Sequence, residues 1–190
     1  MSSFYSEEEL EEIGFLEYGK NVLLSRNAKI YGASKIIIGD NVRIDDFCIL
    51  SGKIVIKNNV HISAGVYIFS GNAGVILDDF SSISSRSVIY AVSDDYSGEY
   101  LANPTVDEEF KHVIEKPVYI GRHSLIATGC TILPGVTIPE DVSVGAMSLV
   151  NKDLEPYSIY VGVPCAKIKD KSKKVFELEK EFVAKKVKKL

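Results

Sequence analysis

Several residue types that would make a function easy to read are scarce in this chain. Its three cysteines, Cys48, Cys130 and Cys165, are odd in number and far apart. They form no disulfide framework, and free buried thiols in a reduced, cytoplasmic protein are the simple expectation. Only three histidines occur, His61, His112 and His123, in widely separated segments, so no metal-ligand spacing emerges and no metal is expected. Basic residues are in deficit: the net charge is -4, which gives nucleic acid no broad electrostatic footprint. No apolar run approaches membrane-spanning length. The opening MSSFYSEEELEE is acidic and polar, unlike a secretory leader. What remains, 190 residues of which 46% are hydrophobic, suits one domain with appendages.

What is present in abundance is a period. Ile120, Ile126, Ile132, Ile138, Val144 and Val150 recur every six residues without a slip. Four positions after each stands a small or aliphatic residue: Ser124, Cys130, Val136, Val142, Ser148 and Leu154. Period six matches neither a helix face nor a single alternating strand. It matches a parallel β-helix, in which a short strand turns a corner every six residues and three strands make a coil. Branched lead residues then point to the axis, where β-branched side chains pack well.

The same spacing extends towards the N-terminus. Tyr18, Leu24 and Ile30 lead the first coil; Ile38 and Ile44, then Ile56, Ile62 and Ile68, follow after a slip near Ile36. A second slip near Gly71–Gly74 precedes Ile76, Ser82 and Val88, giving about six coils. Residues 1–17 are expected to form a helical cap, with Ser6 capping and Glu9 three positions later. Residues 18–168 make the β-helix. An excursion over 90–118 is too long for a corner, and loops of that length on a regular scaffold are usually functional. Residues 169–190 read as a helix, with Val175, Leu178, Phe182 and Val183 as its apolar stripe and Lys173, Lys174, Lys180, Lys185, Lys186, Lys188 and Lys189 on the other face.

The segment GVTIPEDVSVGAMSLVNKDLEPYSIYVGVPCAKI (135–168) resembles the last coils of the hexapeptide-repeat acyltransferases, and the long excursion resembles their sugar and xenobiotic acetyltransferase branch. That resemblance implies an all-β, left-handed parallel β-helix, a hand that spacing alone does not give. It also implies a homotrimer that binds acetyl-CoA, as acyl donor substrate, in a cleft between subunits. Matched residue by residue, the donor would lie along Ala127, Thr128, Gly145, Ala146 and Ser148, with Pro164 near the adenine and Lys152, Lys167 and Lys169 near the phosphates. A zinc hydratase of the same fold needs three converging histidines, which this sequence does not offer. An inactive scaffold remains the other alternative.

Sugar O-acetyltransferases of this type keep a histidine where the long loop begins, and here Ser93 and Asp94 stand in its place. Three readings stay open. Asp94 or Asp95 acts as the base; His61, His112 or His123 enters from an adjacent subunit; or the two aspartates only cap a turn. An amine is more nucleophilic than a hydroxyl and asks less of a base. The expected reaction is therefore N-acetylation of a nucleotide-linked amino sugar for surface glycan synthesis, with O-acetylation of a sugar hydroxyl as the alternative. Ser70, Asn72, Arg86, Tyr90 and Tyr96 are the expected acceptor contacts, the arginine suiting a diphosphate.

Overall fold

The computed structural model describes residues 3–187, and the expected lysines 188 and 189 lie outside them. The chain winds into a left-handed parallel β-helix with three faces. One face stacks an eight-stranded sheet, of which seven strands run parallel and the last, Cys165–Asp170, turns back antiparallel. Its inward residues are Leu24, Ile44, Ile62, Ile83, Ile126, Val144 and Tyr160, all buried. The two other faces belong to a ten-stranded sheet, because the strands Ile49–Ile56 and Tyr67–Leu77 bend from one face to the next without breaking. We call these the second face, led by Ile30, Leu50, Ile68, Ile89, Ile132 and Val150, and the third, led by Tyr18, Ile38, Ile56, Leu77, Ile120 and Ile138. Parallel pairing stacks each strand on the one a coil below, as in Ile120 over Ile138.

The unbroken sixes from Ile120 to Val150 all face the axis. The expected leads Ile76, Ser82 and Val88 are one residue out of register. Leu77, Ile83 and Ile89 are fully buried, while Ile76 is 38% exposed. The 11-residue strand Tyr67–Leu77 carries the shift; with side chains alternating between faces, a one-residue offset turns every lead outward. The same offset settles Arg86. It is not at the small-residue position, which Ser87 fills at 0% exposure. It is the exposed corner residue beside it, with φ 61°.

Corners explain why six residues suffice. The third residue after a lead adopts positive φ, as in Asn41, Asn59, Phe80, His123, Asp141 and Met147. Asparagine and aspartate tolerate that region best. On the corner between the third and first faces they also bond along the stack, with Asn21 Nδ2 donating to Asn41 Oδ1 at 3.1 Å.

One helix covers the first coil and a second docks along a corner. The helix α1 (Glu7–Ile13) begins in a capping box between Ser6 and Glu9, ends at Gly14 in the left-handed region, and buries Leu10. Glu9 also holds Arg26 of the first coil at 2.8 and 2.5 Å. At the other end of the chain α2 starts at Val175, not at the expected 169, and runs to Val187. It lies along the corner between the third and first faces. Phe176 packs on His123 and Tyr157, Phe182 on Phe80, and Glu179 meets Arg122 and His123. The docking stripe is therefore Phe176, Glu179 and Phe182. The expected Leu178 and Val183 stay exposed, because helix positions three or four apart share a face and Phe176 sets which one.

Candidate active site

The long excursion leaves the corner between the second and third faces. Below it, that corner already bulges at Gly32–Lys35, Gly52–Lys53 and Ser70–Gly74. Ala91, fully buried, anchors one foot by accepting from Lys116 N–H at 2.9 Å. Val92–Asp94 and Val113–Glu115 then pair as an antiparallel ribbon, so the excursion is an arm with a built root. Its outer part is open: Tyr96 is 90% exposed, and Tyr100, Leu101 and Phe110 are exposed as well.

The two aspartates at the root differ sharply. Asp95 accepts from Ser97 N–H at 2.6 Å and lies 2.8 Å from His112 Nδ1. Those hydrogen bonds, Ser97 first and His112 next, hold its carboxyl down to about 2. A carboxylate so committed is a poor proton acceptor, and its chemistry is to brace the arm. Asp94 is half-buried and its carboxylate has no hydrogen-bond or ion-pair partner among the described residues. It sits in ribbon register with Val113, one position from the brace that fixes the backbone.

The histidines fall into three roles. His112 is the brace of Asp95, with Tyr100 tilted 5.0 Å from its ring. His123 stacks on Phe80 at 5.1 Å and is 2.8 Å from Glu179, so α2 consumes it. His61 points outward from the first face, 2.8 Å from Asp45, whose carboxyl is lowered by His61 and Arg43 against the opposing effect of burial. The first face lies across the prism from the arm's corner. Within one chain His61 and Asp94 do not meet.

The residues matched to the donor cleft divide likewise. Ala127, Thr128 and Ala146 lie at or near the surface along the corner between the first and second faces, and the exposed Pro164 closes the same corner at the last coil. Gly145 belongs with them and has a packing reason besides: a Cβ there would stand 2.5 Å from Val161 Cγ1. Ser148 is buried, donating to Gly145 C=O at 2.7 Å and accepting from Gly162 N–H at 3.0 Å, so it shapes the corner from within. Lys152 sits past Val150, on the arm's corner instead. Lys167 is tied to Glu155 and Asp170 at 2.9 and 2.8 Å, which raises its pKa. Lys169 is exposed on the closing strand.

Among the expected acceptor contacts, Ser70 is buried and donates to Ser51 C=O at 2.8 Å, which makes it a support. Asn72 is exposed at the arm's root, taking Lys35 Nζ at 3.2 Å on its side chain and donating its N–H to Glu115 at 3.4 Å. Tyr90 is half-buried and stacks on Phe69 at 5.5 Å and 21°. Arg86 lies on the same corner as Ala127 and Ala146, away from Asn72. No group of three or more His, Cys, Asp or Glu that would hold a metal ion occurs among the described residues.

A family model described as bacterial transferase hexapeptide (six repeats) matches residues 35–70. An Escherichia coli protein, dTDP-4-amino-4,6-dideoxy-D-glucose acyltransferase, is 40% identical over 183 residues, covering 95% of each chain. The chain belongs to the hexapeptide-repeat acyltransferases. AntD, an N-acyltransferase from Bacillus cereus solved with dTDP and 3-hydroxybutyryl-CoA, is 49% identical with TM-score 0.95 over 97% of this chain and 98% of that one. Galactoside O-acetyltransferase of E. coli K12 is 31% identical over 116 residues, 60% of this chain and 55% of its own. For a hexapeptide-repeat acyltransferase the arrangement has a consequence. The corner of the residues matched to the donor and the arm's corner are separated by the width of the second face, about 20 Å at ~3.3 Å per residue for six residues. One chain does not bring them together.

Proposed function

We propose that this acyltransferase is an acetyl-CoA-dependent N-acetyltransferase of a nucleotide-linked amino-deoxy sugar, working as a homotrimer with each site between two subunits. The observation that carries the reading is Asp94: a half-buried carboxylate without a partner among the described residues, fixed at the root of an arm, where O-acetyltransferases of this type keep a histidine. The similarity to an acyltransferase of dTDP-4-amino-4,6-dideoxy-D-glucose supports the acceptor class. In the proposed trimer the arm of one protomer reaches the donor corner of the next, which closes the gap that a single chain leaves.

The chemistry asked of the protein is modest. The neutral amine adds to the thioester carbonyl, a C–N bond forms, and the tetrahedral adduct expels the CoA thiolate as the C–S bond breaks. The nitrogen, cationic after addition, gives its proton to Asp94, and the thiolate is the final acceptor. A carboxylate suffices, because the proton is lost from a nitrogen already bonded to the acyl carbon. Ala127, Thr128, Gly145, Ala146 and Pro164 would lie along the donor. Lys169, which has no ion-pair partner among the described residues, is better placed than Lys167 to meet its phosphates.

The test is a mass assay. Purified protein with acetyl-CoA and dTDP-4-amino-4,6-dideoxyglucose should add one acetyl group per sugar and release one CoA thiol. No mass gain on any nucleotide-linked amino sugar, with acetyl or longer acyl-CoA, would overturn the reading.

A further inference from the structure

The outward side of the second face carries a column of residues in strict register. Tyr31 pairs with Ser51, Ser51 with Phe69, and Phe69 with Tyr90. Each follows an inward lead, so all four project to solvent, as alternation requires. Phe69 and Tyr90 occupy adjacent coils and stack. Tyr67 flanks them with ring centroids 6.3 Å from Phe69. The column then breaks. Ser51 puts a small side chain where the next ring would stand, and Tyr31, one coil further down, is 58% exposed with no ring partner among the described residues.

Two coils separate Tyr31 from Phe69, about 9.6 Å at a strand spacing of ~4.8 Å. A planar ring held midway would have its centre about 4.8 Å from each aromatic, inside the ~4.5–7 Å range of productive offset stacking. The Ser51 hydroxyl beneath it has no hydrogen-bond partner among the described residues, so it can donate to or accept from a ring edge. On the adjoining corner Lys35 and Lys53 line a common cavity with Asn72. Two coils above Ser51 the same corner becomes the arm that bears Asp94. The cations therefore lie beside the slot, on the coils of Tyr31 and Ser51, with the amide of Asn72 on the coil of Phe69 and the carboxylate of Asp94 one coil higher.

We infer that the acceptor's nucleobase inserts between Tyr31 and Phe69 over Ser51, with its diphosphate at Lys35 and Lys53. This rests on the nucleotide-sugar reading above, and it names a recognition subsite that the sequence did not suggest. Base recognition here is by stacking and one hydroxyl, so the slot holds the nucleotide without touching the reacting atoms. Tyr31 and Ser51 act on binding and leave the chemical step alone.

The experiment measures binding of thymidine diphosphate by calorimetry and KM and kcat for the dTDP-amino sugar. Wild type is compared with Tyr31→Ala, which removes one wall, and Ser51→Phe, which fills the slot. Each variant should weaken dTDP binding and raise the sugar KM by roughly tenfold to a hundredfold, the value of one stacked base. The acetyl-CoA KM and kcat should change less than twofold. Melting temperature checks that both variants fold; Ser51→Phe, which completes the protein's own stack, should not lower it. Wild type that does not bind dTDP overturns the slot, as do variants whose dTDP affinity stays within twofold of wild type while the enzyme still acylates the sugar. Failure of the functional reading looks different: wild type binds dTDP, loses it in both variants, and transfers nothing to the sugar.

Discussion

On the corner where α2 docks, most polar and aromatic groups have found partners within the chain, although Arg122 Nε and Asp141 Oδ2 are buried without a hydrogen bond. Arg122 and His123 both meet Glu179, Asp141 meets Lys171 at 2.5 Å, and Lys173 sits 3.8 Å over the Tyr157 ring. On the corner where the arm leaves, Asp94 and Lys53 have no polar partner among the described residues, and the arm's aromatic side chains stand in solvent. Both corners are built by the same six-residue unit, so the scaffold does not explain the contrast. A half-buried carboxylate gives up hydration, and without a hydrogen bond that loss is not offset. On the arm's corner the unpaired groups also reach solvent, so a ligand or a second copy can complete them. The first corner serves stability; the second is where chemistry is expected.

The largest effect should come from the unpaired carboxylate. Replacing Asp94 with Asn keeps size and shape and removes the proton acceptor. We expect kcat to fall about a hundredfold or more, roughly 2.7 kcal/mol of transition-state stabilisation, with the melting temperature unmoved. Steady-state kinetics against the same variant's thermal scan checks both halves. A loss below fivefold would remove Asp94 from the proton's path and return attention to a histidine of an adjacent subunit.

The docked corner should respond in the opposite sense. Glu179→Ala leaves Arg122 and the nearly buried His123 without their shared carboxylate. The cost is on the order of 2 kcal/mol, or about 4–8 °C in melting temperature for a chain of this size. Turnover at 25 °C should stay within twofold, because nothing on this corner faces the proposed acceptor path. A variant that kept its melting temperature and lost activity would mean that the two corners are not separate in function.

How much of this could be read from residues alone depends on the kind of order involved. The repeat is local and strict, so Ile120 to Val150 and their small followers could be placed on the axis from spacing. The first-coil leads could be placed too, since each slip was short. The register after Gly74 could not. The extra residues lie inside one continuous strand, and a shift of one residue leaves a six-residue period that looks equally good on paper; only burial tells Leu77 from Ile76. Pairing across long sequence distance was equally out of reach. Nothing near Asp95 points to His112, 17 positions on, and nothing near His123 points to Glu179, 56 positions on. The aromatic slot shares that origin, because Tyr31, Ser51 and Phe69 become neighbours only when consecutive coils stack. Lys167 shows the limit of a residue-by-residue match: the position agrees with a phosphate contact, but its charge is already shared between Glu155 and Asp170.

The smallest effect sharpens the comparison on the arm's own corner, where one brace does exist. His112→Ala removes the ring beside Asp95 and leaves Asp94 in place. The arm should loosen at its root, lowering kcat by a few-fold and no more, far less than the loss at Asp94. The brace has a sign in pH. Hydrogen bonds from Ser97 and His112 pull the Asp95 carboxyl below its unfolded value of 3.8, to about 2. A carboxyl depressed on folding stabilises the native arm fully above its unfolded value, and that contribution fades as pH falls through the folded one. Between pH 5 and 8 the Asp95 carboxyl is therefore fully ionised, and its own titration contributes nothing to the shape of an activity profile there. An NMR titration of the Asp95 side chain should find its midpoint near 2 in wild type and higher, towards 3.8, in His112→Ala. A wild-type midpoint already near 3.8 would mean that Ser97 and His112 do not engage Asp95, and the distinction drawn between the two aspartates would fail.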